Sequence, residues 1–213
     1  MRFNKYLSSV LLIILIVGSV INTSSLNNIG MGKNIYAEYF DNVGTLKNDI
    51  DERIQLKEET SILDSEAFKL VEVAYREVGN VGGEKFWSWY GFNSYQPWCA
   101  CFVSWCADQC GFIESGIIPK FSLVSYGANW FMNNKQWLKR YETPEPGMLI
   151  FFDFVDRGLN EVSDGIADHV GIVKTVKDGY VYCIEGNYKN TCSEAKYKIG
   201  YGHILGYGVP NYK

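Results

Sequence analysis

The chain has 213 residues, 47% of them hydrophobic and 15% aromatic, enough for a real core, which excludes intrinsic disorder for the bulk of it. Against 24 Asp and Glu stand 20 Lys and Arg, a formal charge of -4 with no basic run longer than two residues. That balance excludes a nucleic-acid partner, whose binding rests on neutralising phosphates.

In chain order, Arg2 and Lys5 precede an apolar stretch from Val10 to Ile21 broken only by Gly18 and Ser19. This is the charge-then-apolar order of a secretory signal. The stretch falls short of the roughly 20 residues that a spanning helix needs. Secretion is therefore expected, and the alternative is an uncleaved anchor that associates with a membrane. Ala37, in "NIYAE", marks the boundary, so residues 1–37 are signal or anchor. Their removal takes away three basic and no acidic side chains, leaving 17 against 24 and a charge of -7. Residues 38–60 are polar and weakly periodic, a spacer with a short surface helix, and the domain proper is residues 61–213.

From an N-cap at Asp64 or Ser65, Ala67, Leu70, Val71, Ala74 and Val78 fall at helical spacing, and Gly79 stops the helix. The next segment holds Gly79, Gly82 and Gly83, then Phe86, Trp87, Trp89, Tyr90, Phe92, Tyr95 and Trp98 without a steady period. It reads either as an irregular loop tied to the core by large rings or as a substrate groove lined by some of them, Trp87, Trp89 and Trp98. A second helix runs from about Trp98 to Gly111, with Phe102, Val103, Cys106 and Cys110 on one face. Val124, Ala128, Phe131 and Trp137 form a third helical segment. Two prolines and Gly147 then make a turn, and Met148 to Phe154 reads as a strand. "DHVGIVKTVKDGYVYCIEGN" reads as a hairpin about Asp178-Gly179, and "YKIGYGHILGYGVP" supplies another short strand or two. Helices first and antiparallel strands last make an α+β fold.

Four of the six cysteines lie between Cys99 and Cys110. A helix turns about 100° per residue, so Cys99 and Cys101 point to different sides, and only two histidines are present to complete a zinc site. No metal or cofactor is expected. Cys106 and Cys110 are expected to pack in the core, since an i,i+4 pair on one helix is poorly placed to bridge. Cys183 and Cys192 bracket eight residues, a spacing at which a disulfide would close the loop; the alternative is two buried thiols. Cys99 differs from all of these. In the first turn of a helix, unpaired N–H groups and the dipole favour a thiolate, and a nucleophile of this kind needs a base. His169, in "ADHVGIV", stands at the start of a strand, and Glu185 and Asn187, in "IEGN", come from the adjoining one. A polar group there orders the imidazole, completing a Cys-His-polar arrangement. His203 reads as an ordinary surface or strand histidine.

"WCACFVSW", "PGMLIFFDF", "DHVGIV" and "IEGN", in this order, resemble the CHAP family, the cysteine and histidine-dependent amidohydrolases and peptidases of the papain-like group of peptidoglycan hydrolases. The resemblance covers roughly Asp64 to Val209. It implies a papain-like α+β fold, N-terminal helices on a C-terminal antiparallel sheet. It makes Cys99 the nucleophile and His169 its base, with Glu185 orienting the imidazole, Asn187 a further polar group and Gln96 an oxyanion donor. The implied activity is cleavage of amide bonds in bacterial peptidoglycan, as a peptide endopeptidase or as an N-acetylmuramoyl-L-alanine amidase. The corresponding expectation is a monomer without cofactor, secreted or held at the cell wall or the extracytoplasmic membrane face of a bacterium, with peptidoglycan as partner. The competing readings are a non-catalytic cell-surface binding module and a cysteine peptidase or amidase acting on a non-wall substrate. The chain departs from common members in its extra thiols, Cys101, Cys106 and Cys110.

Overall fold

Ser65 opens the first helix, its side chain accepting the Phe68 N–H at 3.2 Å, and α1 follows over Glu66–Tyr75. The structure, a computed structural model, describes residues 48, 50–55, 57, 65–154 and 164–212. The apolar segment at 10–21 and the boundary at Ala37 lie outside the described residues. The chain divides into two units between Glu58 and Glu59. Of the first, residues 48, 50–55 and 57 are helical and exposed. The second holds α1 and every helix and strand after it.

Helix α1 buries Leu70, Val71 and Ala74, as the spacing requires, but it ends at Tyr75, short of Gly79. The segment after it is less irregular than its sequence. Gly79 and Gly82 donate to Cys192 O at 2.8 Å and Asn190 O at 2.9 Å, laying the loop along the last hairpin. A seven-residue helix, α2 (Glu84–Tyr90), then turns between Gly83 and Gly91, both left-handed with φ 61° and 116°. Helix α3 (Cys99–Gln109) is central: Cys99 to Ser104, Cys106 and Ala107 are all buried. Because it is apolar nearly all round, it lies between α1, α2 and the sheet rather than on the surface. The chain returns through α4 (Val124–Asn133), which buries Val124, Ala128 and Phe131.

Among the described residues six strands follow: β1 (Trp137–Lys139), β2 (Leu149–Phe152), β3 (His169–Lys177), β4 (Tyr180–Tyr188), β5 (Thr191–Lys198) and β6 (Ile204–Gly208). They form one sheet in the order β1–β6–β2–β3–β4–β5, every neighbour antiparallel. Trp137, expected on the third helix, begins β1 instead, paired with Gly208. Strand alternation sends successive residues of β2 to opposite faces. Leu149 and Phe151 join the large core under the helices, with Phe102, Phe131, Val170, Ile172 and Ile184. Ile150 and Phe152 join a second cluster on the other face, with Val173, Val181, Cys183, Ile204 and Tyr207. Two glycines let the helices approach the sheet closely. A Cβ at Gly186 would lie 2.6 Å from Phe102, and one at Gly208 would lie 2.7 Å from Phe131. The helices-first, antiparallel-sheet-last order is the α+β arrangement expected from the sequence.

Candidate active site

The start of α3 is fixed by Trp98, the N-cap residue, which is fully buried. Its ring stacks on Phe86 at 5.3 Å, meets Phe102 edge-on, and its Nε1 donates to Asn190 Oδ1 at 3.3 Å. Gly83 lies against the same ring, where a Cβ would come within 2.2 Å of it. Trp98 is therefore a core residue and not a wall of the substrate groove, which corrects that expectation. A ring this large, enclosed on every side, instead sets where Cys99 emerges. Trp98 makes no side-chain bond to the first turn of α3, so the amides there keep the orphan donors of a helix start. Cys99 is 4% exposed.

His169 is the first residue of β3, at the end of the sheet where α3 lies on β3 and β4. Asp168 shapes that entry: its N–H donates to Phe152 O at 2.9 Å, and its carboxylate accepts the Phe154 N–H at 3.0 and 3.1 Å. The imidazole sits beside Phe152 and Phe154, each 5.8 Å away between ring centres. Its Nε2 is 2.8 Å from Glu185 Oε2, and it is also hydrogen-bonded to Cys99. Burial by itself would lower the imidazole pKa. Hydrogen bonds to Cys99 and Glu185 and the negative charges of both outweigh it, and the pKa rises from 6.5 to about 10. In the imidazolium form both ring nitrogens donate, and Nε2 is the one that faces the carboxylate.

Glu185 is fully buried on β4. Room for it comes from Gly171 on β3, where a Cβ would lie 2.8 Å from Glu185 Cγ. Asn187, two residues on, has φ 63° in a strand that loses register between Glu185 and Tyr188. An Asn tolerates that left-handed geometry better than most residues. Its Oδ1 accepts from Tyr95 Oη at 3.2 Å. The imidazole partner is thus Glu185, and Asn187 is held by a different group. Gln96 is half-buried three residues before Cys99.

Of the two remaining groove candidates, Trp87 is half-buried against the core with its Nε1 donating to Gly82 O at 3.0 Å. Trp89 is partly exposed, with Lys120 Nζ 4.5 Å from its ring centre. Cys106 is fully buried in the core, Cys110 is partly buried against it, and all six thiols are free. Cys183 and Cys192 do not close a loop: Cys183 belongs to the second cluster and Cys192 to the core under the helices, on opposite faces of the sheet. Among the described residues no three His, Cys, Asp or Glu side chains are grouped to hold a metal ion.

Sequence reasoning misses three contributors. Cys183 Sγ donates to Glu185 Oε1 at 3.0 Å, and the Tyr197 hydroxyl is hydrogen-bonded to the same carboxylate. The i,i+2 spacing of Cys183 and Glu185 is a readable signal for a shared strand face; nothing local points to Tyr197. The third, Tyr95, is the partner of Asn187 and in the sequence is one ring among many.

Residues 89–187 match the family model of the CHAP domain. The chain carries a CHAP domain. The matched segment holds Cys99, His169, Glu185 and Asn187, and as a CHAP domain it belongs with hydrolases. Among solved structures, the chain is similar to the crystal structure of Ly7917 at 16% identity and a TM-score of 0.43. It is similar to the crystal structure of Ly7917 with the hydrolyzing product of MDP at 16% identity and a TM-score of 0.42. Each match covers 68% of this chain and 62% of the solved one, so the chain spans less than two thirds of the structures it resembles. No curated protein matches it.

Proposed function

We propose that this CHAP domain cleaves amide bonds in bacterial peptidoglycan by thiol catalysis, as a peptide endopeptidase or an N-acetylmuramoyl-L-alanine amidase. The observation that carries the reading is a continuous hydrogen-bond chain, from Cys99 at the head of α3 through His169 to the buried Glu185. The match to the CHAP domain supports the wall substrate.

In the reaction, Cys99 attacks the amide carbonyl carbon as a thiolate facing the His169 imidazolium. The oxyanion is held by the Cys99 N–H, one of the free first-turn amides, with the Gln96 side chain as second donor. Collapse breaks the C–N bond, and the departing amine takes its proton from His169. Neutral His169 then removes a proton from water, whose oxygen attacks the thioester; the acid leaves and the thiolate–imidazolium pair is restored. Glu185 keeps the imidazole in plane and stabilises its positive charge between the two transfers. Asn187 and Tyr95 border the same end of the sheet, and Trp89 is the groove residue of the aromatic segment. No cofactor enters this scheme, and the protein acts as a monomer outside the cytoplasm, secreted or held by its N-terminal segment.

The test is to incubate the full chain and its Cys99→Ala form with purified peptidoglycan under reducing conditions and identify the released ends by mass spectrometry. New peptide N-termini assign an endopeptidase, and stems that begin with free L-alanine assign an amidase. Equal behaviour of the two folded forms would remove Cys99 from the chemistry.

A further inference from the structure

The proposed reaction uses one oxygen of Glu185 and leaves the other unexplained. Glu185 lies on β4, between β3 and β5, and its side chain is reached from all three strands. His169 of β3 is 2.8 Å from Oε2, and Cys183 of β4 donates to Oε1 at 3.0 Å. Tyr197 of β5 adds its hydroxyl. We propose that Cys183, on Oε1, and Tyr197 are positioning residues, which hold the Glu185 carboxylate so that Oε2 stays directed at the imidazole. This rests on the reading of Cys99, His169 and Glu185 as the reacting chain.

Two physical points carry it. The terminal torsion of a glutamate is broad and nearly two-fold, so packing against Gly171 fixes where the carboxylate is but not how its plane is turned. The Cys183 thiol on Oε1 and the Tyr197 hydroxyl on the same carboxylate supply that missing constraint. Second, a fully buried carboxylate has about four lone-pair sites, and a site left empty away from water is costly. Both donors keep their protons: burial first, then the Glu185 charge, pushes the Cys183 thiol and the Tyr197 phenol well above their usual ranges. Tyr197 is itself braced, its ring 4.8 Å from Phe152 and stacked on Tyr201 at 5.6 Å. The titratable groups that bear on this carboxylate are His169 from β3, Cys183 from β4 and Tyr197 from β5, with Cys99 of α3 one bond further through His169.

The experiment uses the full chain with Tyr197→Phe, Cys183→Ala and Cys183→Ser. A hydrogen bond to a charged group contributes enough to predict that Tyr197→Phe and Cys183→Ala each lower kcat on peptidoglycan by about tenfold, with KM within about twofold. Cys183→Ser keeps a donor and returns kcat to near native. A second readout needs no substrate: the low-field proton resonance of His169 Nε2–H, identified by its loss in Glu185→Gln. It should broaden or move upfield in Tyr197→Phe and Cys183→Ala and persist in Cys183→Ser. Native kcat and resonance in Tyr197→Phe and Cys183→Ala would overturn the proposal. Should Cys183→Ala fail to show a native melting transition, Tyr197→Phe, which removes only a hydroxyl, decides. If the native chain leaves peptidoglycan intact, the functional reading fails, while the resonance still decides whether the clamp exists.

Discussion

The two faces of the sheet are built from different materials. Under the helices the core is apolar from Leu70 and Phe102 to Phe151 and Ile184, with the buried Ser104 hydroxyl bonded to the Phe121 backbone, and glycines bring α3 and α4 close to the strands. On the other face, the cluster of Ile150, Phe152, Val173 and Ile204 also contains Cys183 and Tyr207, next to Glu185 and Tyr197. The first face is a packing problem solved by shape, while the second commits buried polar groups to one carboxylate. The candidate site lies where they meet, with Cys99 supplied by the helical layer and His169 by the sheet. The contrast teaches that stability and proton chemistry can be damaged separately here.

The sharpest separation is Cys99→Ala, expected to lower activity by about 10^4-fold or more while the melting temperature stays close to native, as a paired assay and thermal melt would show. The opposite case is Phe102→Ala or Trp98→Ala, which should destabilise by about 3–5 kcal/mol in denaturant unfolding because each leaves a cavity in the helix-face core. Equal loss of activity without loss of stability in either would break the comparison. Glu185→Gln acts on the other face: kcat should fall by about 10^2-fold, and the alkaline limb of the rate profile should move down from near pH 10 because the imidazolium loses its counter-charge. Stability follows the same proton. A histidine raised from 6.5 to about 10 stabilises the folded state fully below 6.5 and loses that contribution as pH rises through about 10. The native melting temperature should therefore decline across that window, and the decline should flatten in Glu185→Gln. The smallest effect is expected from Trp89→Ala, a few-fold rise in KM with an unchanged melt, set against the unfolding caused by Trp98→Ala.

Much of the fold is readable in the sequence because it is local. Ser65 capping α1, Gly111 after α3 and Asp178-Gly179 between β3 and β4 each act within a few residues. The seven-residue α2 escapes because its stretch is aromatic nearly throughout and gives no period, and β1 escapes because Trp137 continues the spacing of α4. Trp98 misleads for a related reason: a tryptophan in a glycine-rich aromatic run has the same local signature whether its ring ends in a groove or under a helix.

By itself, then, the sequence determined the order of helices and strands, the placement of Cys99 at a helix start and of His169 at a strand start, since caps, turns and periodicity are short-range. The tertiary structure decided which polar group takes the imidazole, that Cys183 and Cys192 face apart, and that Tyr197 reaches Glu185. Those outcomes depend on strand register, on the irregularity after Glu185 and on the gap left by Gly171, which are set by pairing across the sheet rather than by neighbours along the chain.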